Sequence, residues 1–200
     1  MTLFERFEKG QISIGDYIDY KPVDNYCVLK TFETGAWSSE DEDQYCYTEG
    51  LKFQFGGVFK DKLILLSDDV TRQVVRFDGD VGFLNGSKLL QYVCESCWSN
   101  PTIGAVGFCL AFNTFYELPE EIKKTKNGNR CYWLASNGAA VGFMKNFSGL
   151  NYVVETKSHR YVGVSDMVNG SYSWFGLKRR GVEFAIRPAV LLPMEYSIDE

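Results

Sequence analysis

The sequence predicts an α+β fold, a single C-terminally β-rich domain in which two short helices pack on twisted antiparallel sheets. Three observations carry that expectation. Two β-rich runs, Leu51 to Phe59 and Lys62 to Ser67, are separated by Lys60-Asp61. Leu89, Leu90, Val93, Cys94 and Cys97 recur at helical spacing. Beyond residue 130 the chain turns glycine-, serine- and aromatic-rich, the composition of short strands and tight turns. Two hundred residues, 45% hydrophobic and 16% aromatic, suffice for one substantial core. No repeat, low-complexity block or linker divides the chain, so residues 1–200 read as one domain, with an N-terminal helix and strand in 1–22 and a β-rich closing region in 130–193.

In chain order, Leu3 to Lys9 reads as a short amphipathic helix with Leu3, Phe4 and Phe7 on one face, stopped by Gly10. Ile12 to Tyr20 alternates apolar and polar residues, as a half-buried strand does, and Lys21-Pro22 ends it. Ser38 to Asp43 is polar and acidic and reads as an exposed loop. Its contiguous acids lack the alternating spacing and central glycine of a calcium-binding helix-loop-helix, so no metal site is expected there. The two runs around Lys60-Asp61 read as a hairpin. Gly79 to Gly86 is a loop that feeds a helix from Ser87 to Cys97, closed by Trp98-Ser99-Asn100-Pro101. Pro119 to Lys124 opens with proline and two glutamates, which suits the positive end of a helix. Lys126 to Asn129 then turns into a strand at Tyr132.

The formal charge of -5 and pI near 5.1 argue against nucleic acid as the main partner, because phosphate binding needs a concentrated basic surface. Lys178-Arg179-Arg180 is the one tight basic cluster, and it reads as a solvated hairpin edge. Residues 1–10 mix acids and bases through their apolar positions, so export by the general secretory route is not expected, and no stretch approaches the roughly 20 apolar residues of a membrane helix. Six cysteines (Cys27, Cys46, Cys94, Cys97, Cys109, Cys131) then read as mostly buried thiols of a protein made in a reducing cytosol, with disulfides as the alternative if it is later oxidised. Cys94-Glu95-Ser96-Cys97 has no second close pair, so a zinc ribbon is disfavoured, and no cofactor is expected.

Two late segments carry the most information: Tyr132-Trp133-Leu134-Ala135-Ser136, a short apolar strand, and Gly181 to Pro193, a longer strand interrupted by Arg187. Flanked by Ile186 and Pro188, Arg187 should be buried and paired, its guanidinium received by a carboxylate or by several carbonyl oxygens. Trp133 and Arg187 are therefore the expected structural residues. Together the segments resemble the closing half of a C-type-lectin-like domain. With Gly15-Asp16-Tyr17-Ile18, Tyr20 and Pro22, Leu63 to Ser67, Gly82 to Gly86, Leu89-Leu90, Cys94 and Ser99-Asn100, they also resemble an uncharacterised family in proteins of Gram-positive gut bacteria and their phages. The pieces span nearly the whole chain in order.

The resemblance implies a binding scaffold that displays variable loops, and the start of the chain looks more like a phage or prophage product than a surface-anchored bacterial protein. It implies a virion accessory or decoration protein, made in the host cytoplasm, that recognises a host glycan or protein or contacts other virion proteins, without membrane insertion and open to homo-oligomerisation. Sugar-binding C-type lectins hold calcium through Glu-Pro-Asn or Gln-Pro-Asp loops and a Trp-Asn-Asp strand, and these motifs do not occur here. Related sulfatase-activating oxidases use paired cysteines in the C-terminal strand region, whereas this chain has no cysteine after Cys131. The display surface is expected between about residues 145 and 180, with Tyr152, Tyr161, Asn169, Tyr172, Trp174 and Phe175 as candidate ligand contacts, since aromatics beside adaptable polar groups give contact area at low entropy cost. Ordinary core or hairpin packing is the competing reading for each.

Catalysis has no positive signal. His159 is the one histidine; Ser158, Ser165 and Asp166 lie near it in sequence, but no Gly-x-Ser-x-Gly elbow is present. Gly104 to Gly107 and Gly138 to Gly142 do not lead into Gly-Lys-Ser/Thr and are not phosphate loops. The alternatives are a small hydrolase acting on cell-wall or surface glycan through two distant acids, and an intracellular inhibitor of a host factor.

Overall fold

The computed structural model describes residues 1–23, 26–28, 45–48, 50–71, 74–76, 91, 93–110, 112–123, 125–126, 132–137, 151–153, 161–165 and 183–198. The expected loops at Ser38 to Asp43 and Gly79 to Gly86, and His159, Asp166 and Lys178 to Arg180, lie outside them.

Helix α1 (Leu3–Glu8) begins at a reciprocal capping box. Glu5 N–H donates to Thr2 Oγ1 (3.1 Å) and Thr2 N–H to Glu5 Oε2 (2.9 Å), which satisfies two amides the first turn would leave bare. Gly10, at φ 67°, ends it as expected. Leu3 is fully buried, and the Phe7 ring meets Phe55 edge-on at 5.0 Å. The strand expected from Ile12 to Tyr20 shrinks to β1 (Tyr17–Ile18). Asp16 explains why: its carboxylate accepts from Ser13 N–H (2.7 Å), folding 13–16 into a turn, with Gly15 at φ 93°. The backbone still reaches its neighbour, since Gly15 N–H donates to Phe55 O and Phe55 N–H to Asp16 O, both at 2.8 Å.

Strands β2 (Tyr26–Val28) and β3 (Tyr45–Tyr47) form a separate antiparallel ribbon with Cys27 opposite Cys46. The hairpin expected around Lys60-Asp61 is present as β4 (Phe53–Phe59) and β5 (Lys62–Ser67), with Lys60 in the left-handed region at φ 55° and a register shift between Phe55 and Val58. Next come β6 (Val74–Arg76), a helix that takes in Gln91 and residues 93–98 (α2), a 3-10 turn at Pro101–Ile103, and β7 (Val106–Cys109). Two helices follow. The second, α4 (Glu120–Lys123), falls where proline and the glutamates place it; α3 (Phe112–Glu117) is an addition to the expected set. β8 (Tyr132–Asn137), β9 (Asn151–Val153), β10 (Tyr161–Ser165), β11 (Glu183–Ala185) and β12 (Pro188–Leu192) complete the order.

These strands form two five-stranded sheets, β1-β4-β5-β12-β7 and β6-β11-β8-β10-β9. The class is α+β, and the pairing is antiparallel except between β11 and β8, which run parallel with Ala185 beside Tyr132. The first sheet is covered on both faces. Phe53, Phe55, Leu63, Leu65, Val190 and Leu192 pack with Leu3, Val93, Cys97 and Trp98 on one side; Ile64, Leu66 and Ala189 pack with Phe115, Leu118, Ile122 and Tyr132 on the other. That double coverage is why Leu63 to Leu66 is an unbroken apolar run, where a sheet with one wet face would alternate. It also joins the sheets, because Tyr132 and Ala185 of the second share a core with the first.

The tail expected to be one long strand from Gly181 to Pro193 is instead two strands in different sheets, broken at Ile186-Arg187. Two causes suffice. Thr71 intercepts the ladder, its Oγ1 accepting from Ile186 N–H (3.0 Å) while its own N–H donates to Ile186 O (2.9 Å). Pro188 then has no N–H with which to continue pairing.

Candidate functional site

Arg187 stands where the chain crosses between sheets, and it is fully buried. Its Nε donates to Ser67 O at the end of β5 (3.0 Å), Nη2 to Ile122 O (2.7 Å), and Nη1 both to Lys123 O and to Tyr132 Oη (3.2 Å). Of the two receptors the sequence allowed, carbonyl oxygens are present. The guanidinium also lies over the Tyr132 ring, 5.3 Å from its centre, and Tyr132 Oη donates to Lys123 O (3.2 Å). One side chain thus ties the first sheet, α4 and the second sheet's central strand. The planar fork makes this possible, since several carbonyls at fixed angles suit a guanidinium better than an ammonium.

Past that anchor β8 ends at Asn137, and β11, the parallel strand beside it, begins at Glu183. Residues 138–182 are an excursion between two neighbouring strands. Part of it folds back as β10 on the far side of β8 and β9 beyond it, so β9 is the outer edge. Tyr152 lies on β9 and Tyr161 on β10; Tyr161 sits at a register shift opposite Asn137. Tyr152 is in register with Val164 and, through it, with Tyr132, in the row of the sheet that includes that buried residue. Trp133 is the second residue of β8. Asn169, Tyr172, Trp174 and Phe175 fall outside the described residues.

A second polar group, at the opposite edge of the first sheet, was not anticipated. Tyr17 is 54% exposed, yet its hydroxyl donates to Asp68 Oδ2 (3.2 Å), and Asp68 is buried. Asp68 Oδ1 accepts from Lys52 N–H (3.2 Å), and the Lys52 ammonium lies 5.9 Å from the Tyr17 ring centre. Partial desolvation, helped by the nearby Asp68 charge, raises the Tyr17 pKa. Tyr20 is raised much further, chiefly by burial, and its hydroxyl donates to Trp98 O. The signal for this pair is slight: Tyr17 and Tyr20 stand in one short strand-like segment, and the partners lie far away in sequence.

No family model, curated protein or solved structure matches this chain. Among the described residues there is no group of three or more histidine, cysteine or acidic side chains placed to hold a metal ion, and no helix long and apolar enough to cross a membrane.

Proposed function

We propose that this protein is a non-enzymatic recognition domain of C-type-lectin-like character, used as a virion accessory or decoration protein, with residues 138–182 as its display segment. The observation that supports the reading is topological: residues 138–182 join two neighbouring parallel strands, β8 and β11, whose register at Tyr132 and Ala185 is set beside the Arg187 anchor. A long connection between strands of a well-anchored sheet tolerates changes in its own sequence, the arrangement by which binding loops are carried on rigid frameworks. Its target is a host surface glycan or protein, or a neighbouring virion protein.

The test is retention on intact host cells and on particles lacking the protein, comparing the wild type with a Tyr172→Ala, Trp174→Ala, Phe175→Ala variant. The reading expects loss of retention with an unchanged unfolding midpoint. Equal retention of a folded variant contradicts it.

A further inference from the structure

Tyr17 is the one aromatic side chain left exposed among the described residues, and its ring is held in place. Its hydroxyl donates to Asp68 Oδ2 (3.2 Å), and buried Asp68 is itself fixed by backbone and side chain together. The Asp68 N–H donates to Lys52 O (2.8 Å), its carbonyl accepts from Lys126 N–H (2.6 Å), and Oδ1 accepts from Lys52 N–H (3.2 Å). A carboxylate built in just past the end of β5 thus sets the tilt of a ring that stays open to solvent. Exposed rings ordinarily keep their rotamer freedom. Pinning one in advance removes an ordering cost that binding would otherwise meet.

Register places polar groups around that ring. Tyr17 on β1, the outer strand, stands directly opposite Gln54 on β4, so the two side chains share one face of the sheet. Gln54 Nε2 donates to Gly15 O (3.2 Å), which leaves Oε1 to accept from elsewhere. The Lys52 ammonium, 5.9 Å from the ring centre, has no hydrogen-bond or ion-pair partner among the described residues. An apolar ring face therefore has an acceptor and a cation at its rim. A purely apolar ligand would leave the rim groups idle, and a simple anion would leave the ring idle. A pyranose uses both, with its C–H face on the ring and its hydroxyls at the rim, and a carboxylate on that pyranose meets the ammonium. We propose that this edge binds a carboxylated pyranose, a uronic acid residue of a glycan. The proposal rests on the reading of the protein as a recognition domain and adds a contact separate in sequence from residues 138–182.

Amide chemical-shift mapping of the full-length protein tests this with the methyl glycosides of glucuronate and galacturonate, their neutral parent glycosides, and acetate. At least one uronate should shift the Tyr17, Lys52 and Gln54 amides. Its neutral parent should bind about tenfold more weakly, and acetate at equal ionic strength should leave those amides unmoved. Tyr17→Ala should weaken uronate binding about tenfold or more, and Lys52→Gln should reduce it to the level of the neutral glycoside. Both side chains are exposed, and unfolding midpoints of the variants separate a lost contact from a lost fold. Absence of uronate shifts at the three amides, equal shifts with acetate, or full binding by either folded variant overturns the proposal. Uronate shifts confined to residues 138–182 would overturn it and leave the display reading intact.

Discussion

Gln91 takes the place of a neighbouring strand for Cys109, its carboxamide accepting from the Cys109 amide at 3.0 Å and donating to the Cys109 carbonyl at 2.7 Å. A sheet edge usually leaves such groups to solvent or to another chain. Here one side chain supplies both halves of the missing pairing, and Ser99 supplies a third contact at Gly107. Replacing Gln91 with alanine should lower stability by about 1–3 kcal/mol, the cost of leaving a partly buried donor and acceptor unmade. It should also promote association through β7. Urea unfolding together with light scattering reads both effects, and unchanged behaviour in each would refute the shielding role.

Arg187→Met should be far more damaging. It leaves Ser67 O and Ile122 O without the donor they have in the wild type and removes a stacked guanidinium from Tyr132. The loss is expected to be roughly 3–5 kcal/mol, a large share of the 5–15 kcal/mol that holds most domains together. Arg187→Lys should recover little, because one ammonium cannot meet carbonyls arranged for a fork. Denaturant midpoints of the two variants measure the difference, and a lysine variant close to wild type would show that charge alone suffices.

Two glycines should respond to alanine for different reasons. At Gly107 the added carbon meets backbone, with Cys94 O at 2.1 Å and Trp98 Cβ at 2.9 Å, so α2 must move. At least the ~1–3 kcal/mol of an overpacked core is expected, along with faster exchange of the Cys109 amide. At Gly10 the added carbon meets nothing within 4 Å, and the cost is the φ of 67° alone, about 1–2 kcal/mol with no effect on β7. Thermal unfolding and hydrogen exchange of both variants separate the two causes.

Tyr20 sets an alkaline limit. Burial raises its pKa well above the usual tyrosine value of 10.0, so the folded state holds the phenol proton that the unfolded state releases. Its contribution is fully present below the unfolded value and is lost as pH rises from there toward the folded value. Stability should fall with pH beyond about 10. Tyr20→Phe should flatten that fall while costing about 1 kcal/mol at neutral pH through loss of the bond to Trp98 O. An unchanged alkaline slope in the variant would assign the pH dependence to other groups.

What could be read from the sequence follows the range of the interactions. The β4–β5 hairpin, the apolar face and glycine stop of α1, and the buried face of α2 depend on neighbours a few residues away, and their patterns were visible. The burial of Arg187 was visible from its apolar flanks, but its receptors, 55 to 120 positions away, were not. The break at Ile186-Arg187 was hidden for the same reason, since Thr71 imposes it from across the chain. β1 was overextended because the Ile12 to Tyr20 alternation is also what a turn followed by a two-residue strand produces when Asp16 captures Ser13. Of the candidate contacts, Tyr152 and Tyr161 reach strands at the outer side of the second sheet.

The most direct measurement is quantitative mass spectrometry of purified phage particles induced from the source strain. A virion accessory protein should be present at a fixed stoichiometric copy number relative to the major structural proteins. Its absence from particles, with the protein abundant in the same lysate, would contradict the reading and turn attention to host-factor binding or activity on cell-wall glycan.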